Sequence, residues 1–119
     1  MSGQRLADYL DHMLEAVRLA CGYVEGMDRA DFHADVRTQQ AVILNIVVIG
    51  EAATRVLQEY AEFAQEHPEV PWKNMRGMRN RIAHGYFSVD LDIVWDTVSG
   101  ALPPLAETLD ELRRSLPEG

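Results

Sequence analysis

The apolar positions of the first stretch fall at Leu6, Tyr9, Leu10, Met13, Val17, Ala20 and Val24. Gaps of three and four residues bring them to one side of a helix. The spacing predicts an amphipathic helix over residues 4–25, stopped by Gly26. Asp28 can cap one short helical turn reaching Phe32. A second long helix is expected over residues 35–65, with Asp35 as its cap. Its centre, Val42-Ile43-Leu44-Asn45-Ile46-Val47-Val48-Ile49, would on its own suit a buried strand, being β-branched and apolar on all sides. The flanking Gln39, Gln40, Glu51, Ala52 and Ala53 favour helix, and Ile46, Ile49, Ala53, Val56, Leu57 and Tyr60 continue a helical stripe. A helix that is apolar all round needs cover on every side. In so small a chain a second copy is one source of that cover, and a homodimer is expected partly on this ground.

His67-Pro68 closes the second helix, because the residue before proline avoids helical backbone. Pro71 then suits the start of a third, over residues 71–84, with Trp72, Met75, Met78 and Ile82 as its apolar stripe and Gly85 as its end. Residues 86–89 connect to Asp90, which can cap a last helix over residues 91–116. Ile93, Val94, Val98, Leu102, Leu105, Leu109 and Leu112 supply its buried side, and Pro103-Pro104 should kink it. These elements make an all-α, up-and-down bundle of four main helices plus one short helical turn. At 119 residues the chain suits a single domain, 1–119.

Composition narrows this further. With 47% hydrophobic and 25% charged residues, the chain has the apolar material for a core and is not disordered. The single cysteine, Cys21, excludes an internal disulfide framework and any multi-cysteine zinc site, and points to a reducing cytoplasm. Cys21 is expected to be a small buried apolar residue, and Trp72 and Trp95 to be packing residues. The first residues hold no apolar signal core. The longest apolar run, residues 41–50 with Asn45 inside it, falls short of the about 20 residues a membrane helix needs. His12, His33 and His67 lack ligand spacing, so neither a metal nor another cofactor is expected.

The net charge of −8 speaks against coating nucleic acid by bulk charge. That charge is segregated, however. Residues 70–89 contain no Asp or Glu but hold Lys73, Arg76, Arg79 and Arg81, a local +4 that leaves −12 on the rest. A local field of this kind can hold phosphates on an acidic protein. Within it, Arg79-Asn80-Arg81-Ile82-Ala83-His84-Gly85-Tyr86 gathers a guanidinium, a carboxamide, an imidazole and a phenol. Asn80 and His84 are one turn apart and share a face. Arg79 and His84 stand about 140° apart on a straight helix, unless the chain unwinds near Gly85 and the arginine reaches across. His84 falls at the helix C-terminus, where the dipole favours positive charge. The set suits metal-free phosphodiester cleavage: an imidazole moves a proton and a permanent cation stabilises charge at phosphorus. One histidine cannot easily serve as both base and acid, and a two-fold dimer would supply two. On spacing alone, a lone histidine beside an arginine on a helix is more often structural. Asn80 can orient His84, bind substrate or only make a helix-end hydrogen bond, Lys73 and Arg76 can meet RNA phosphates or be surface charge, and Glu51 is expected to form a structural ion pair with an arginine of the third helix, not to act as a catalytic base.

At this motif the chain resembles the HepT-like family of the HEPN superfamily. The signature Arg-Asn-x-x-x-His-x-Tyr is met by Arg79, Asn80, His84 and Tyr86. Pro71-Trp72, Gly77-Met78, Phe87-Ser88-Val89-Asp90, Val94-Trp95 and Ile49-Gly50-Glu51-Ala52 also fit the family's pattern, so the likeness covers residues 6–112. The resemblance implies an endoribonuclease toxin of a type VII toxin–antitoxin pair, with Arg79 and His84 catalytic. It implies as partner an MNT-type nucleotidyltransferase antitoxin that transfers AMP to the motif tyrosine, Tyr86. It also implies a dimer whose two motifs face a shared cleft for RNA. Two other readings stay open: a catalytically inactive nucleotide- or partner-binding helical dimer, and a purely structural dimerisation unit.

Overall fold

The computed structural model describes the backbone of residues 2–85 and 88–117, with side chains from residue 5 onward. The elements run α1 (Ser2–Tyr23), α2 (Arg29–His33), α3 (Val36–Glu59), α4 (Ala61–Glu66), α5 (Trp72–His84), α6 (Leu91–Asp96), a π-helical turn (Thr97–Ala101) and α7 (Leu102–Arg114). Because α6, the π turn and α7 follow one another without a break, four long rods form an all-α bundle. Among the described residues there is no strand. α3 is central, with α1 packed on one side and α5 on another, and α7 lies against α1.

Local signals set most of the boundaries. Gly26 takes φ +80°, the left-handed conformation that ends a helix at glycine with little strain. Asp28 and Asp31 cap α2 reciprocally: the Asp31 N–H donates to Asp28 Oδ1 at 2.8 Å and the Asp28 N–H to Asp31 Oδ2 at 3.1 Å. Asp35 accepts from the Thr38 N–H at 3.1 Å and opens α3, and Asp90 accepts from the Asp92 N–H at 2.9 Å and opens α6. The core is built from the predicted stripes: Leu10, Met13 and Val17 of α1, Val42, Ile49 and Val56 of α3, and Val94, Val98 and Leu109 beyond. Phe32 is fully buried and stacks on Trp95 with centroids 5.5 Å apart, fixing α2 to α6.

Two predicted helices are corrected. The helix expected over residues 35–65 breaks at Tyr60, whose backbone (φ −136°, ψ 50°) leaves helical geometry. The Tyr60 N–H still bonds to the Val56 carbonyl at 2.8 Å, so α3 is completed before the chain turns. The turn directs α4 toward the start of α5, burying Ala64 and bringing the Phe63 ring 6.2 Å from that of Trp72. The last helix is not simply kinked at its prolines. Pro103 and Pro104 lie in the first turn of α7, where the missing N–H groups cost least. The disruption is taken up just upstream by the π turn, where the Leu102 N–H reaches back five residues to the Thr97 carbonyl.

α3, with a mean hydropathy of 1.5 over its most apolar stretch, is long and apolar enough to cross a membrane by length and composition. Of that stretch 56% is buried inside the bundle, the condition of a core helix. The all-round cover expected for it is incomplete within one chain: Leu44 is 62% exposed and Val48 is 36% exposed.

Candidate functional site

α5 carries the motif, and its inner face is fixed at both ends. Trp72 is buried and its indole N–H donates to the His67 carbonyl at 3.0 Å; Ile82 is buried near the C-terminal end. Between them α5 lies close to α3 at Gly50. A Cβ on Gly50 would meet the Arg79 Cβ and stand 2.7 Å from the Met75 carbonyl oxygen, so the lack of a side chain there is a condition of the packing.

This contact aims Arg79. Its guanidinium turns back onto α3, where Nη1 donates to Glu51 Oε1 and Nη2 donates to Thr54 Oγ1 at 3.2 Å. The Thr54 hydroxyl in turn donates to the Gly50 carbonyl at 2.8 Å, fixing its oxygen toward the arginine. Nε is buried with no hydrogen-bond partner among the described residues. The pair expected between Glu51 and an arginine of the third helix is therefore present. Thr54 is the member that sequence reasoning missed. Its signal is a hydroxyl one turn after a mid-helix glycine, on the same face.

On a regular α5 His84 falls on a different face from Arg79, whereas Arg76, one turn earlier, shares the face of Arg79. α5 remains helical through His84, so the chain does not unwind to bring the two together, and His84 is exposed at the helix end. Asn80 is exposed on the same face as His84. Lys73 is exposed and Arg76 half-buried, both on α5. Tyr86 lies outside the described residues. Cys21 is half-buried, and burial pushes its thiol up from the ordinary value, the reverse of activation. No three His, Cys, Asp or Glu side chains converge as metal ligands among the described residues.

The ion pairs complete the picture. Arg29 holds Asp92 and Asp96 at 2.8 Å each, joining α2 to α6. Arg113 holds Asp11 at 2.8 Å and Arg18 holds Asp110 at 3.4 Å, joining α7 to α1. Arg5 and Arg55 share Glu59, and Arg114 pairs with Asp110. Four of the 11 lysines and arginines have no ion pair among the described residues: Arg37, Lys73, Arg76 and Arg81. Three of these four stand on α5, so the unneutralised positive charge is collected on the helix that carries the motif.

Comparison with known proteins agrees with the motif. The family model described as "Ribonuclease HepT-like" matches residues 13–112, and the chain belongs to this family. It is 36% identical over 107 residues to a protein of Thermococcus cleftensis named "Probable ribonuclease HepT", covering 90% of this chain and 94% of that one. It is 33% identical over 104 residues to a "Putative RNase" of Caldanaerobacter subterraneus, covering 87% and 90%. A "Putative RNase" of Methanocaldococcus jannaschii is 31% identical over 108 residues, covering 91% and 87%. No solved structure gives a significant match.

Proposed function

We propose that this protein is a metal-independent endoribonuclease acting in the cytoplasm as the toxin of a type VII toxin–antitoxin pair. The observation that carries the reading is the pairing pattern: an acidic scaffold binds most of its own cations, while α5 presents cations without an ion pair among the described residues on the helix that carries an exposed histidine. In this reading the His84 imidazole takes the proton of a ribose 2′-hydroxyl. The 2′-oxygen bonds to phosphorus, and the bond from phosphorus to the 5′-oxygen breaks. The departing 5′-oxygen receives a proton, leaving a 2′,3′-cyclic phosphate. Arg79 stabilises the charge that builds on the phosphoryl oxygens. Glu51 and Thr54 occupy one N–H on each terminal nitrogen, and each nitrogen retains a second for phosphate.

The divergence of Arg79 and His84 on one chain favours a site shared by two copies. Leu44, Val48 and Glu51 recur at four and three residues along the outward face of α3, so the exposed apolar stripe runs to the Glu51–Arg79 pair. A homodimer that covers this stripe places two arginines near one seam and supplies a second histidine as the acid. Silencing is assigned to Tyr86, two residues beyond His84. An MNT-type nucleotidyltransferase would join its hydroxyl oxygen to the α-phosphorus of ATP, with release of pyrophosphate. The added phosphate would compete with RNA for the α5 cations.

The test is cleavage of RNA in EDTA by protein free of AMP. Arg79→Ala and His84→Ala should each abolish cleavage with an unchanged circular dichroism spectrum. A wild-type protein that binds RNA but leaves it intact would instead favour the inactive nucleotide- or partner-binding dimer. The tie between Arg79 and Glu51 lends that second reading its support. Intact mass after incubation with the partner and ATP tests Tyr86: wild type should gain AMP and Tyr86→Phe should not.

A further inference from the structure

The outward side of α5 contains a second glycine, and it differs from Gly50. Gly77 sits within the helix, where glycine is a poor former, and a Cβ there would meet nothing within 4 Å. Among the described residues nothing packs against it. The space it leaves open belongs to a groove of about 530 Å³ between α5 and the rod formed by the π turn and α7. Met78, Ala101, Leu102 and Leu105 give the groove an apolar lining, and Lys73 and Arg81 stand on its α5 side without ion pairs among the described residues. Arg81 also lines a small separate cavity that reaches Gly85, the residue after His84. The Asn74 carboxamide, a donor and an acceptor, completes the α5 side.

We propose that this groove is a nucleotide subsite of the RNA, holding a base and a phosphate on the face of α5 where Arg81 stands one turn from His84; it rests on the ribonuclease reading. A flat base uses the apolar lining and the opening over Gly77, Lys73 and Arg81 bind the phosphate, and Asn74 reads the base edge. A bare phosphate would leave the lining unused, and an apolar ligand would leave two free cations without partners. A two-fold contact between copies through this groove would set Lys73 and Arg81 against their own equivalents, with no Asp or Glu in residues 70–89 to offset them. Arg81 and Gly77 become substrate-binding residues in addition to Lys73.

The experiment measures binding of a fluorescent 2′-O-methyl oligoribonucleotide, which cannot be cut, by full-length Arg81→Ala, Lys73→Ala, Gly77→Leu and Arg37→Ala. Arg81→Ala and Lys73→Ala should each weaken binding about tenfold and lower the salt slope by about 0.7. Gly77→Leu should weaken it comparably, with a melting temperature at or above that of the wild type and an unchanged sedimentation coefficient. Arg37→Ala removes the same charge away from α5 and should leave binding unaltered. Equal losses in Arg37→Ala and Arg81→Ala would reduce the effect to bulk charge and overturn the subsite. So would full binding by Gly77→Leu, and a changed sedimentation coefficient in that variant would assign the groove to contact between copies. If the wild type cuts no RNA yet these variants bind as stated, the nuclease reading fails and the subsite stands. If it cuts RNA and the variants bind normally, the reverse holds.

Discussion

The guanidinium of Arg79 is bound by the carboxylate of Glu51 across the seam between α3 and α5. The arginine side chain is 24% exposed and the glutamate 50%, so the pair lies at the margin of the bundle, open to solvent on the glutamate side. A half-exposed pair of this kind adds little to stability, about 0–1 kcal/mol. Its consequence is direction: a long flexible cation is held to one orientation by two acceptors on a rigid helix.

Glu51→Gln should therefore separate catalysis from folding. The amide still accepts a hydrogen bond but no longer holds the cation by charge. Expected is a fall in kcat of about tenfold or more with KM within about twofold, because a misplaced group costs transition-state stabilisation before it costs binding. The urea midpoint should move little. An unchanged kcat would make the pair purely structural.

Gly50→Ala tests the close approach itself. The added methyl group meets the Met75 carbonyl oxygen and the base of the Arg79 side chain, so α5 must shift outward. The expected loss is about 2 kcal/mol, read as a lower urea midpoint at unchanged slope. Gly77→Ala, on the open side of the same helix, should gain about 0.8 kcal/mol by the same measurement.

Leu44→Glu addresses the exposed stripe on α3. If a second copy covers Leu44 and Val48, a charge at the centre of that contact should convert a dimer to a monomer in sedimentation at micromolar concentration. Helix content should stay constant, because Leu44 is 62% exposed in the single chain. A wild-type protein that sediments as a monomer would remove the dimer from the proposal.

The acid limb of stability should trace in part to two aspartates. The Arg29 guanidinium beside Asp92 holds its carboxyl below the ordinary value, with His33 adding to the effect. The Thr38 N–H and hydroxyl do the same for Asp35. A carboxyl depressed by folding contributes fully above its unfolded value, about 3.9, and its contribution is lost as pH falls through the lower folded value. Melting temperature should thus drop on acidification below about pH 4. Asp92→Asn and Asp35→Asn should each make that drop shallower. An identical acid limb in both variants would assign it to other carboxylates.

Much of this molecule is legible in local chemistry. Asp28, Asp35 and Asp90 announce three helix starts because a short carboxylate satisfies free N–H groups wherever it stands, and Gly26 marks a stop by its backbone freedom. The break at Tyr60 has no such sign. It completes one helix normally and turns because α4 has a place against Trp72, which is a property of another part of the chain. The prolines at 103 and 104 announce a disturbance but not its form, since a π turn depends on how the rod must sit on the bundle.

The candidate site divides in the same way. By itself the sequence determined the residue set: four cations without an acid over residues 70–89, Arg79 and His84 on one helix, and a two-way angle between them fixed by helical pitch. Tertiary structure alone decided what each cation does. Gly50 and Gly77 are identical as residues, yet one admits the neighbouring helix and the other opens a groove. Arg79 is held by Glu51 and Thr54, while Lys73, Arg76 and Arg81 have no ion pair among the described residues. The reason is physical: charge is a property of a side chain, whereas neutralisation depends on which helix is folded against it.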